Sequence, residues 1–277
     1  MKIKLEKTDL EFGDLTLICG ENNAERIYIR GSFSDTFSLG FERASEIHSI
    51  EVNTFKKIAK NKSFIAKGEQ ENPLYKEIIS LFRQILGGKF IVTDDIEFLP
   101  RLSKETIPLK EISHFVCSLC LLDYYIFNMV KIGETLIIDE PELHLHPKNQ
   151  ILMARLLVLL VNASVKVIIT THSDYIVREL SNCIMLDNLS EAQIQSLKKQ
   201  GYSKEYALPS KRVKAYLVEN IKGKNTLREV KITQEQGIFM ETFDEPIDSQ
   251  NENQGLIFEE AMRSNIHKNP KLLGDTK

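Results

Sequence analysis

An α/β protein built around a mostly parallel sheet is what this sequence predicts, and three observations predict it. The runs at residues 136–138 and 165–169 are apolar but for Lys166, without the regular polar alternation of half-exposed strands, as strands covered on both faces are. Each is followed by a helix-like segment, at 147–160 and from 174, so that strands and helices alternate along the chain. Three segments then end on polar groups: Gly20-Glu21-Asn22-Asn23, Asp139-Glu140 and Thr170-Thr171-His172-Ser173. In parallel sheets ligands bind beyond the carboxyl ends of the strands, which marks these three ends as the place to look.

In chain order, residues 3–5 and 15–19 read as strands joined by the turn-prone Phe12-Gly13-Asp14. The second runs into residues 20–23, which tolerate unusual backbone angles. Periodicity is weak over 25–67. Residues 75–86, YKEIISLFRQIL, form an amphipathic helix closed by Gly87-Gly88. Residues 89–113 suit a strand pair with polar turns, and 115–129 are apolar for long enough to make a buried helix. Pro147 fits the first turn of the helix at 147–160, whose inward face carries Ile151, Leu152, Leu156, Leu159 and Leu160. Beyond Asp187 the chain is more polar, with a helix pattern at 191–199, a strand at 213–218 and alternation at 230–239. The expected organisation is a core at 1–190, a continuation or small lobe at 191–264 and a flexible tail at 265–277.

A chain of 277 residues that is 42% hydrophobic can bury one large core, or a core and a satellite lobe. The 36 basic and 39 acidic residues leave a formal charge of -3, which does not advertise a nucleic-acid or anionic-membrane binder. Local basic patches at Lys56-Lys57, Lys198-Lys199 and Lys211-Arg212-Lys214 could still contact DNA or RNA phosphates, although scattered exposed lysines are the commoner explanation. Cys19, Cys117, Cys120 and Cys183 lie in or beside apolar segments, which suits reduced thiols in the cytoplasm. The Cys117/Cys120 pair has no second pair, so a core-facing helix explains it better than zinc. No segment has the length of a membrane span, and the first residues alternate like a strand rather than like a signal peptide.

Paired carboxylates at the end of a buried strand are costly unless a cation compensates them. Asp139 is placed to hold a magnesium ion, directly or through water, while Glu140, one residue further on, can polarise an attacking water. Nucleotide hydrolysis needs that division of labour. Taken singly, each residue has a plainer explanation: a solvent-facing strand end for the acids, and for His172 a place beside the helix-capping Ser173. It is the coincidence of two such strand ends that favours a nucleotide site. His144 and His146 stand two apart with no converging third ligand, so structural or interface roles suit them better than zinc.

LIIDEPELHLHP followed by VIITTHSDYI, within residues 134–180, resembles the Walker B, D-loop and switch region of the ABC-type ATPases. It is most similar to the SMC-like and OLD-like members found in bacterial anti-phage systems, among them the ATPase subunits of Septu-type and retron-associated defence. The resemblance implies an ABC-type P-loop NTPase head, with a mostly parallel central sheet flanked by helices and a smaller antiparallel part. It implies ATP and magnesium as cofactors, Asp139 as the metal ligand, Glu140 as the catalytic glutamate and His172 as the sensor of the γ-phosphate. The D-loop, which crosses the dimer interface, would fall at residues 143–147.

The resembling ATPases carry a phosphate loop G-x-N-x-x-G-K-[ST] after the first strand. Gly20, Glu21, Asn22, Asn23 and Ala24 suit its first five positions, whereas Glu25, Arg26 and Ile27 stand where glycine, lysine and a hydroxyl residue belong. Arg26 is cationic but bulkier and differently shaped than lysine, Glu25 adds negative charge and Ile27 cannot ligate magnesium. Either the loop is degenerate or the sequence lacks residues after Ala24. The signature segment, which contacts the partner subunit's γ-phosphate, has its nearest counterpart at residues 112–119. Ser113 suits it and His114 and Phe115 do not, and a helix cap accounts for Ser113 nearly as well.

The resemblance further implies a homodimer or higher oligomer formed through a composite ATP site, controlling a separate nuclease or other effector. The long heptad run of an SMC coiled coil is missing from this sequence. Its late acids Glu241, Asp244, Glu245, Asp248, Glu259 and Glu260 read as a solvated face rather than a nuclease centre. A pseudo-ATPase scaffold that holds a protein or nucleic-acid partner is the alternative.

Overall fold

The computed structural model describes residues 11–20, 36–40, 62–69, 71–221 and 224–268. Its strands are β1 (Leu15–Gly20), β2 (Thr36–Gly40), β3 (Gly88–Val92), β4 (Ile96–Pro100), β5 (Ile107–Pro108), β6 (Thr135–Asp139), β7 (Lys166–Thr171), β8 (Val213–Ile221), β9 (Lys224–Glu229), β10 (Ile232–Thr233) and β11 (Gly237–Ile238). The helices are α1 (Phe64–Gly68), α2 (Pro73–Leu86), α3 (His114–Tyr124), α4 (Pro147–Asn162), α5 (Asp174–Leu186), α6 (Glu191–Ser196) and α7 (Glu241–Lys268). Two compact units divide the chain, Met1–Ile238 and Phe239–Lys277.

In the first unit a six-stranded sheet runs in the order β2-β6-β7-β1-β8-β9. Its first five strands are parallel and only β9 is antiparallel, to β8. The apolar runs occupy its centre: Leu15, Leu17, Leu136, Ile138, Val167 and Ile169 are fully buried. Burial on both faces explains why these strands carry no polar alternation. Because β8 lies against β1, the central sheet draws on residues beyond 190. A separate three-stranded antiparallel sheet, β3-β4-β5, stands in place of the strand pair expected at 89–113, the third strand being the two-residue β5. The α/β architecture with a mostly parallel sheet, flanking helices and a smaller antiparallel part is therefore present. The strand expected at 3–5 lies outside the described residues.

Helix α2 starts at Asn72, whose side chain accepts from the Leu74 N–H, and ends at Gly87 in the left-handed conformation, φ 71°. Two helical expectations need correcting. The inward face assigned to α4 is too narrow: Leu156, Leu159 and Leu160 are buried, but so is every residue from Met153 to Val161, while Ile151 and Leu152 are half-buried. Packing against α2 and α5 accounts for two sides, and the buried Arg155 is satisfied by Glu179 at 2.6 Å and the Gly201 carbonyl at 2.9 Å. The expected helix at 115–129 is α-helical only to Tyr124 and then takes one five-residue π-helical turn, Tyr125–Met129. A largely apolar run fits either pitch, so the sequence could not tell them apart.

All four cysteines are free and buried, and burial pushes the thiols of Cys19, Cys120 and Cys183 far above their ordinary range. In the basic cluster at 211–214, Arg212 pairs with Asp14 at 2.7 Å, and Lys214 with Glu11 at 2.9 Å and Glu229 at 2.8 Å. Arg212 and Lys214 are thus engaged in ion pairs within the fold, while Lys211 beside them is exposed. Lys198-Lys199 is exposed on a short 3₁₀ turn, and Lys56-Lys57 lies outside the described residues.

The second unit contains α7, a helix of 28 residues. Every residue from 249 to 262 is exposed, including Leu256 (57%), Ile257 (71%) and Phe258 (63%). The polar, acidic sequence did not announce this helix. Among the described residues no helix is long and apolar enough to cross a membrane.

Candidate functional site

The register of the parallel strands brings the polar ends to one edge. Asp139 of β6 stands opposite Thr170 of β7, and Thr170 and Thr171 stand opposite Ile18 and Cys19 of β1, one residue before Gly20. β7 lies between β6 and β1, so the acid pair and Gly20 flank the threonines and His172 on either side.

Side chains tie these ends together. The Thr170 hydroxyl donates to Asp139 Oδ1, and the Glu140 N–H reaches both the carbonyl and the hydroxyl oxygen of Thr170 at 3.1 Å. Glu140 takes φ 48°, a left-handed conformation uncommon outside glycine, at the residue where the chain leaves the strand. Strain of this kind clusters at functional sites, where the surroundings hold it in place. Glu140 Oε1 stands 3.6 Å from His172 Nε2. That separation is too long for a hydrogen bond, so both groups keep capacity for a third.

His172 is held at its other nitrogen. Nδ1 lies 2.5 Å from the Gly20 carbonyl oxygen, which can only accept, so Nδ1 carries the proton. Nε2 therefore presents a lone pair in the neutral ring and a donor in the protonated one, on the side facing Glu140.

A third carboxylate, Glu142, organises the backbone of this edge. Its Oε1 accepts from the His172 N–H at 2.6 Å, and its Oε2 accepts from the Thr171 hydroxyl at 2.9 Å. Burial pushes the Glu142 carboxyl above the usual carboxylate range, against the opposing pull of these hydrogen bonds. Further on, Ser173 Oγ caps α5 by accepting from the Ile176 N–H at 3.2 Å and donates to Gln150 Oε1 at 2.5 Å. The Gln150 side chain in turn donates to the Leu145 carbonyl at 2.9 Å. The loop after β6 and the turn after β7 thus form one hydrogen-bonded frame.

Of the residues singled out by sequence, Gly20, Asp139, Glu140 and His172 come together here. Glu21, Asn22, Asn23, Ala24 and Arg26 lie outside the described residues. Ser113 is exposed at the start of α3, where its hydroxyl accepts from the Val116 N–H at 3.4 Å, and no hydrogen bond or ion pair joins it to the strand-end residues among the described residues. His146 caps α4 through Nδ1, and His144 occupies a turn with φ 62°. Sequence reasoning missed Glu142. Its one signal was a third acid following Asp139-Glu140-Pro141 inside the resembling motif.

The donor set can be tested against magnesium. Among the described residues no group of three or more His, Cys, Asp and Glu side chains converges on a metal position. Magnesium does not need one, since it is commonly held by one or two carboxylates with water and substrate phosphates completing the shell. Asp139 has Oδ1 occupied by Thr170 and Oδ2 without a hydrogen bond among the described residues, and no lysine or arginine there pairs with Asp139, Glu140 or Glu142. One free carboxylate oxygen beside unneutralised acids fits the ion.

A profile of the AAA ATPase domain family matches residues 35–177, just over half of the chain. No curated protein matches. Among solved structures, the chain is similar to an SMC head bound to the C-winged helix domain of ScpA, at 12% identity and TM-score 0.42 over 70% of this chain and 55% of that one. It is also similar to the SMC head domain from Thermotoga maritima, at 14% identity and TM-score 0.38 over 70% of this chain and 54% of that one. The match thus spans little more than half the length of either structure.

Proposed function

This chain belongs to the AAA ATPase domain family, and from that premise we propose that it binds and hydrolyses ATP with magnesium at the shared edge of β1, β6 and β7. The observation that carries the reading is the bond from His172 to Gly20 with Glu140 on the ring's other side, which joins the expected sensor, the start of the expected phosphate loop and the expected catalytic acid.

Asp139 would hold the magnesium ion through its free oxygen, and the ion would supply charge compensation for the phosphates. Glu140, held in its left-handed turn by the two Thr170 contacts, orients a water and accepts its proton. His172, with its Nδ1 proton fixed on Gly20, presents Nε2 to the same space and, when protonated, donates to a phosphoryl oxygen. Neither side chain is saturated by the other at 3.6 Å, so both can address a substrate.

The cellular role follows from the motif likeness within residues 134–180: an ATPase subunit of a bacterial anti-phage complex of the Septu or retron-associated kind. There ATP-dependent dimerisation would control a partner nuclease or toxic effector, with Ser113 offered to the second subunit's nucleotide.

Magnesium-dependent ATP turnover by the purified protein tests the reading. Glu140→Gln should abolish turnover while ATP binding persists. A wild-type protein that binds no ATP would overturn the proposal in favour of a pseudo-ATPase scaffold, the second reading, which Glu25, Arg26 and Ile27 favour. A mass measurement with and without ATP tests dimerisation.

A further inference from the structure

Glu142 is a carboxylate that the proposed reaction leaves unused, and its surroundings give it a definite task. Its two oxygens divide between two donors on successive residues, the Thr171 hydroxyl and the His172 N–H. Charge-assisted hydrogen bonds of this sort are short and directional, and the 2.6 Å contact to His172 is the shorter of the pair.

The connection runs to both sides of the reacting space. Glu142 shares a tight turn with Glu140, closed by the Leu143 N–H on the Glu140 carbonyl at 3.0 Å, and the next turn is closed by the Leu145 N–H on the Glu142 carbonyl at 2.9 Å. One carboxylate thus fixes the Glu140 turn to the backbone that carries the imidazole. Thr171 Oγ1 also accepts from the Ser173 N–H at 3.1 Å, which ties the start of α5 into the same knot.

We propose that Glu142 is a positioning residue, which sets the distance and angle of the His172 ring against Glu140 and Gly20. It touches no substrate itself. This inference rests on the ATPase reading for its consequence in turnover, but not for its geometry. A glutamine at this position keeps the shape but removes the charge and turns its NH2 toward Thr171 Oγ1, which must then accept instead of donate, so the two charge-assisted bonds become weaker neutral ones and the turn can shift. Misplacing a reacting group by a fraction of an ångström to an ångström lowers turnover by about 10- to 100-fold.

The experiment combines kinetics with ring spectroscopy on the full chain. In the nucleotide-free protein, Glu142→Gln should move the His172 ring nitrogen and proton resonances in a ¹⁵N-histidine spectrum, with the other histidine rings unchanged. Turnover should fall about 10- to 100-fold with the KM for ATP within about twofold, since the loss is confined to alignment. In a His172→Ala background the same substitution should change turnover no further, because a residue acting through the imidazole has nothing left to act on. An additive loss in that background, or unmoved His172 resonances in a folded Glu142→Gln protein, would overturn the proposal. If Glu142→Gln does not fold by circular dichroism, Glu142→Asp, which keeps the charge but cannot reach both donors, is read in its place. If the wild type turns over no ATP, the ATPase reading fails by itself, and the ring spectrum alone decides the role of Glu142.

Discussion

The sheet edge and α7 are both rich in acids, yet their structures rest on different causes. At the edge, Asp139 ends β6 and Glu140 and Glu142 stand in the turn just after it, backed by the buried Leu136 and Ile138, and two of the three carboxylates accept hydrogen bonds from the threonine-histidine turn. In α7 the residues from 249 to 262 are exposed on every side, apolar ones included. Tertiary packing provides most of a helix's stability in water, and an isolated helix is marginal. Acidic sequence therefore means a fixed, directed cluster where the backbone is anchored from behind, and a solvated surface where it is not.

That contrast can be broken at several points. The largest effect expected is on chemistry: His172→Ala should lower ATP turnover about 100-fold without unfolding the protein, read by steady-state kinetics beside a melting curve. Unchanged turnover would detach His172 from the site. Next comes the support behind the edge: Leu157→Ala, at a fully buried position of α4, should destabilise the fold by about 2–5 kcal/mol in urea titrations. Removing the cap of α5 with Ser173→Ala should cost about 1 kcal/mol by the same measurement. Phe258→Ser on α7 should stay within about 0.5 kcal/mol of wild type, and a larger loss would mean that α7 is packed after all. Hydrogen exchange sharpens the same contrast, with amides of β6 and β7 exchanging only on global unfolding and those of residues 249–262 far sooner.

How much of this was legible depends on what each region shows in one dimension. Strands at the centre of a parallel sheet appear as largely apolar runs, so β1, β6 and β7 and the polar residues that end them could be read directly. The short β2 falls in a stretch with little periodicity, and its pairing with β6 could not be seen before the sheet was assembled. The one-sided view of α4 failed because a single apolar stripe assumes a solvent face opposite it, and Arg155, whose charge would ordinarily lie on that face, is buried by its pairing with Glu179. Glu142 was hidden for a related reason: loop residues follow no period, and a half-buried carboxylate in a loop looks the same in sequence as an exposed one. Helix α7 contains Pro246 and Gly255 within a polar run, both poor helix formers, so propensity argued against it.

One contact has a mechanical meaning beyond chemistry. Gly20 is at once the last residue of β1 and the first of the stretch that leads to Arg26, and its carbonyl is fastened to the His172 ring. A peptide plane gripped in this way cannot rotate unnoticed. Any rotation of that plane alters its hydrogen bond to the imidazole, so the end of β1 and the ring are held in register by one contact.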